Sequence, residues 1–145
     1  MPAFDNGSSA RVAACRADFA AQLAAYRDLV AAASKASGMS LNRIDAALAA
    51  FEPGYFNNLL VSLDARFADR PREAAATGGD PLAEVRLLAA AVMNHGGVLA
   101  SDDAAGYDPA KSVLRIDVGD RVALNADDFE AIARAFLGEI ERRIA

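Results

Sequence analysis

Apolar residues recur at spacings of three and four along the first quarter of the chain. Val12, Cys15, Phe19, Leu23, Tyr26, Val30 and Ala33 fall on one side of an α-helix, while Arg11, Asp18 and Arg27 fall off it. The pattern predicts a long helix capped by Ser8 or Ser9 and stopped at Gly38, the residue type suited to a left-handed C-terminus. Ser40 then caps a second, shorter helix whose inward face is Leu41, Ile44, Leu48 and Phe51. Pro53 should end it, because the residue before a proline avoids the helical region. A third helix is expected from Pro53 or Tyr55 to Phe67, on the stripe Phe56, Leu59, Leu60, Leu63 and Phe67. Tyr55 and Val61 widen its apolar arc, so it should be covered on most sides.

Ala68 to Gly79 breaks the periodicity with Pro71, mixed charges and Gly78-Gly79, and reads as a surface loop. Asp80-Pro81 restarts the chain as N-cap and first helical residue. The fourth helix carries Leu82, Val85, Leu88, Ala89 and Val92 inward and closes at Asn94-His95-Gly96-Gly97. Val98 to Ala100 suits a short strand, and Ser101 to Ala110 is polar and turn-rich. From Ser112 to Val118 the period changes to two: Val113, Arg115 and Asp117 alternate with Leu114, Ile116 and Val118. Gly119-Asp120 fits a tight hairpin turn, and Arg121 to Leu124 returns. Asn125 caps the last helix, with Asp127 and Asp128 in its first turn and Arg142 and Arg143 in its last, as the helix dipole favours. Phe129, Ile132, Phe136, Ile140 and Ile144 face the core.

The expected fold is therefore mainly α: a five-helix bundle with a β-hairpin between the fourth and fifth helices. Residues 1–8 are expected to form a flexible tail and residues 9–145 one domain. An isolated hairpin is marginal in water, so it should pack on the bundle or pair with Val98 to Ala100.

Composition narrows the chemistry. Among 145 residues there is one histidine, His95, and one cysteine, Cys15. A structural zinc site wants several thiolate or imidazole ligands, so no metal and no cofactor are expected. A Ser-His or Cys-His arrangement would have to use His95. A single thiol excludes a disulfide within the chain and fits a cytoplasmic protein. Met1 to Ser9 shows no secretory pattern, and no run of apolar residues is long enough to span a membrane. The two lysines, Lys35 and Lys111, among fifteen basic residues, with abundant alanine, suggest a bacterial gene of high GC content. A net charge of −5 and a pI near 4.8 weigh against nucleic acid or an anionic membrane as the main partner.

His95 reads first as a C-terminal cap between a helix and two glycines, and Cys15 as an inert buried thiol. Asp102, Asp103 and Asp108 do not match the spacing of a calcium-binding hand. Asn57 and Asn58 interrupt an apolar helix, where paired amides either meet backbone groups or recognise a polar ligand. A ligand pocket or active site, if the chain has one, should draw on Asn57, Asn58, Asp64, Glu84, Arg86 and His95. Residues 38–66 have the rhythm of a DNA-binding helix-turn-helix, yet the second helix offers no cation before Arg66.

Phe51-Glu52-Pro53-Gly54-Tyr55-Phe56-Asn57-Asn58-Leu59, Asp80-Pro81-Leu82-Ala83-Glu84-Val85-Arg86 and Ser112-Val113-Leu114-Arg115-Ile116-Asp117-Val118-Gly119-Asp120 occur in that order. In this the chain resembles a family of short uncharacterised bacterial proteins, over most of its length after Arg16. The resemblance implies no activity and no site residue. The leading expectation is a non-catalytic interaction or regulatory module with a protein partner or a second copy of itself. A helix-turn-helix DNA binder is the alternative, then a small-ligand binder or enzyme with a pocket near His95.

Overall fold

The structure, a computed structural model, describes residues 6–35, 40–70, 79–100 and 106–144. Expectations placed on Gly38, Pro71, Gly78, Asp102 and Asp103, and on the side chains of Leu41 and Ile144, lie outside the described residues. Four helices occur among them: α1 (Asn6–Ser34), α2 (Ser40–Arg66), α3 (Pro81–Asn94) and α4 (Ala126–Ile144). Helix α1 starts ahead of the Ser8 or Ser9 cap that the sequence suggested. Its stripe from Val12 to Tyr26 is buried, as periodicity requires. Helix α2 packs on α1, α3 and α4, and α4 packs on the other three, so this diagonal pair holds the centre. Phe56, Leu60 and Leu63 of α2 and Phe129, Ile132 and Phe136 of α4 are fully buried there. Phe129 meets Phe19 edge-on at 5.1 Å, and Phe136 meets Phe67 at 5.7 Å.

The expected second and third helices are one. Helix α2 runs through Pro53, so the bundle has four helices and not five. An interior proline removes one backbone hydrogen bond and crowds the preceding turn, at about 3 kcal/mol. An aromatic clamp offsets that cost. Phe51 and Tyr55, on either side of Pro53, stack at 5.2 Å, and both stack on Tyr26 of α1, at 6.4 and 6.1 Å. Tyr26 donates its hydroxyl to Glu52, and Tyr55 donates its own to Gln22 at 3.2 Å. The position of Phe51 is a second correction. It was expected inside but is 49% exposed.

The β-hairpin is not there. Among the described residues there is no strand, only an isolated antiparallel bridge between Val98 and Arg121. Leu99 donates to the Asp120 carbonyl (3.0 Å), Gly119 to that of Leu99 (2.8 Å) and Val122 to that of Gly97 (2.6 Å). Thus 97–99 does meet the returning segment, while 112–118 meets no strand. Alternation reports a period of two but not who satisfies the backbone. Here side chains of the helices do so. Glu84 takes the N–H groups of Val113 and Leu114, and Asn57 takes the carbonyl of Val122 and the N–H of Leu124. The Ser112 hydroxyl accepts the Arg115 N–H (2.9 Å) and holds a turn in which Arg115 adopts a φ of 56°. Leu114 and Ile116 are half-buried against the core, and Val118 is exposed.

Gly119 has a φ of 93° with open space where a Cβ would stand. Gly119→Val should therefore destabilise the protein by about 1–3 kcal/mol through backbone strain alone. A chemical denaturation curve that superimposes on the parent's would remove that assignment.

Candidate functional site

Polar groups that could do chemistry occupy two regions. The first surrounds the irregular segment from 106 to 124. Glu84, on the inner face of α3, is only 3% exposed. Its two oxygens accept from Val113 (2.8 Å) and Leu114 (3.0 Å). Burial pushes its carboxyl above the ordinary value, against the opposing pull of those two donors. Asn57, on α2, donates to the Val122 carbonyl (2.8 Å) and accepts from Leu124 (3.1 Å). An amide with one donor and one acceptor in a plane reproduces the edge of a strand, which is what this segment lacks. Tyr107 donates to the Ile116 carbonyl (2.6 Å) and closes the segment on itself.

The other expected site residues lie apart from this pair in role. Asp64, near the end of α2, pairs with the Arg70 guanidinium. Asn58 is exposed on α2 and Arg86 half-buried on α3. His95 is the exposed C-cap of α3; its backbone N–H returns to the Ala91 carbonyl. The turn after it reaches Asn57 indirectly, because Val122 bonds to both Asn57 and Gly97. Asp80 is the N-cap of α3, accepting from Leu82 (3.0 Å), and its other oxygen pairs with Arg143 of α4 (3.3 Å). Cys15 is buried, and burial raises its thiol pKa, which suits an unreactive core residue. Among the described residues no cluster of three metal-ligating side chains occurs.

Arg70 is a residue sequence reasoning missed. Its guanidinium is wholly buried, donating to the Asp64 carboxylate and to the carbonyls of Asp64 (3.2 Å), Phe67 (3.0 Å) and Leu82 (3.2 Å). It also lies 5.1 Å over the Phe136 ring. It thus ends α2 and ties it to the start of α3. A lone arginine in a mixed-charge stretch carries no periodic signal that would reveal this.

The second region is a groove of about 420 Å³ between α1 and α4. Phe19, Leu23 and Leu137 line its floor, with the small side chains of Ala20, Ala24 and Ala133. Arg16, Arg27, Glu130 and Arg134 supply its polar lining. Arg16 reaches across to Glu141, and Arg27 to Glu130 (3.0 Å) and Asp127 (3.0 Å), so an ion-pair clasp closes each end. Arg134 stands between them, its side chain 74% exposed, with Glu130 at 4.0 Å. The signal for this groove was divided between two helices a hundred positions apart in the chain.

Residues 38–66, read as a helix-turn-helix, contain no turn from Ser40 to Arg66. No helix among the described residues is long and apolar enough to cross a membrane. Comparison with known protein families, curated proteins and solved structures finds no match.

Proposed function

We propose that the protein is a non-catalytic interaction module whose contact surface is the arm formed by the last turns of α1 and the first turns of α2, and that its partner is a second copy of itself. One observation carries this reading. No described side chain from Arg27 to Phe51 is buried, yet the stretch exposes Leu29 (54%) and Phe51 (49%). Leu29 lies one turn beyond Tyr26, the residue on which Phe51 stacks. Exposed apolar side chains grouped in this way mark contact surfaces more often than isolated ones do. Charge favours a like partner. The chain carries −5, but residues 27–51 hold Arg27, Lys35 and Arg43 against Asp28 and Asp45, close to neutral. Two arms can therefore meet without the repulsion the whole surface would impose. A twofold pair is the commonest closed solution. Of the polar residues expected at a reaction site, Asn57, Asp64 and Glu84 are engaged in holding backbone or the Arg70 guanidinium that ends α2.

Sedimentation equilibrium over a wide concentration range tests this. The parent should associate reversibly, and Leu29→Glu, at an exposed position outside the aromatic clamp, should stay monomeric while keeping the parent's circular dichroism spectrum. A parent that is monomeric throughout, or a variant that associates as the parent does, would overturn the reading.

A further inference from the structure

We infer that the groove between α1 and α4 is a binding site for a single-chain aliphatic carboxylate, its chain on the alanine-lined floor and its head group on Arg134. The site lies on α1 and α4, meets the arm only at Arg27, and does not depend on self-association. Three observations support it. The volume, about 420 Å³, falls within the range of small-molecule sites, and the floor is apolar. Ala20 and Ala24 of α1 and Ala133 of α4 keep it shallow and open where larger side chains would fill it. Of the three guanidiniums that line it, Arg16 and Arg27 are paired with Glu141, Glu130 and Asp127, which leaves Arg134 as the cation facing the groove.

The end clasps decide between a slim ligand and a partner helix. Arg16 and Arg27 are eleven positions apart, roughly 16 Å along the axis. A helix laid in the groove is about 10 Å wide. It would cover the Arg16–Glu141 and Arg27–Glu130 pairs and take their charges out of water, which is costly. An aliphatic chain fits between the clasps and leaves them wet. The head group needs a cation that is not already committed. Arg134 meets that need, since its contact with Glu130 is at the limit of an ion pair and Glu130 is held more closely by Arg27. The planar guanidinium can grip a carboxylate with two parallel hydrogen bonds.

Titration calorimetry with dodecanoate, below the concentration at which it forms micelles, is the test. Saturable one-to-one binding is expected. Arg134→Glu should weaken it by about tenfold or more, as expected for loss of a charge-assisted contact, while Arg134→Lys keeps most of it. Ala24→Phe, at an exposed position, should abolish binding by filling the groove without changing the circular dichroism or melting temperature. Dodecanol and dodecyltrimethylammonium should bind more weakly than dodecanoate. The inference is overturned if dodecanoate does not bind, if Ala24→Phe binds it equally well, or if the three amphiphiles bind alike. Binding to phosphatidylglycerol vesicles without binding of monomeric dodecanoate would also overturn it, in favour of a lipid surface.

Discussion

Phe56→Ala should lower the unfolding free energy by about 3–5 kcal/mol, the upper range for truncating a core aromatic. The ring is fully buried at the point where three helices meet. It packs edge-on against Tyr26 of α1 and Tyr55 of its own helix, both at 5.0 Å, and lies 6.1 Å from Phe129 of α4. Truncation loses the transfer free energy of the ring and leaves a cavity among neighbours fixed on separate helices. It also removes edge-to-face contacts worth about 0.5–1.5 kcal/mol each beyond area. These helices cannot close the gap without disturbing the clamp around Pro53. Urea denaturation measures the loss, which should appear as a lower midpoint with an unchanged slope. A loss below about 1 kcal/mol would mean that α2 is peripheral and that the packing described for the diagonal pair is wrong.

Glu84→Ala should cost about 2–4 kcal/mol, because it strands the backbone N–H groups of Val113 and Leu114 in a half-buried turn. Glu84→Gln removes the charge together with one of the two acceptors, because its amide nitrogen can only donate, so it costs stability at every pH but still gives a pH signature by difference. Burial raises the Glu84 carboxyl above its ordinary 4.5. The folded protein therefore keeps this proton to higher pH than the unfolded chain does. Its contribution to stability is largest below 4.5 and declines as pH rises through the elevated value. Glutamine cannot titrate, so the variant lacks that decline. Stabilities of both proteins at acid and neutral pH should show the parent losing ground to Glu84→Gln on going to neutral pH. A difference that stays constant, or changes in the opposite sense, would show that Glu84 is not desolvated as described.

Most of the helical content was legible because a helix writes its own period into the chain. The buried stripes of α1, α3 and α4, the Asp80 cap and the positive φ of Gly119 follow from local chemistry. Asn125 and Asp128 exchange backbone N–H bonds (2.8 and 3.2 Å), the cap that Asn125 implied. Errors arose where a distant residue outweighed a local rule. Pro53 opposes a helix on its own, but Tyr26, twenty-seven positions earlier, helps hold the two sides together. The alternation after Ser112 suits a strand, but its donors meet Glu84 from 29 positions away, and the segment after it meets Asn57 from 65. Of the candidate site, Asn57 stood out with Asn58 as an amide on an apolar helix, and Glu84 was among the residues a pocket should draw on. Their role is visible only once the segment they hold is folded over them. Arg70 and the groove left no comparable mark.

A segment held in this way is recognised through atoms that every residue type except proline possesses. Glu84 and Asn57 bind the peptide units of Val113, Leu114, Val122 and Leu124, not their side chains. The segment's solvent-facing positions, Asp117, Val118, Asp120 and Ala123, are therefore free to diverge in relatives while the path of the chain is kept. Variation should be bounded in two ways: no proline at 113, 114, 115, 119, 120, 122 or 124, where an N–H donates, and no loss of the amide at 57 or the carboxylate at 84. Such a design separates the shape of the loop from the identity of its surface, so new surface chemistry could be accumulated there without refolding the bundle beneath it.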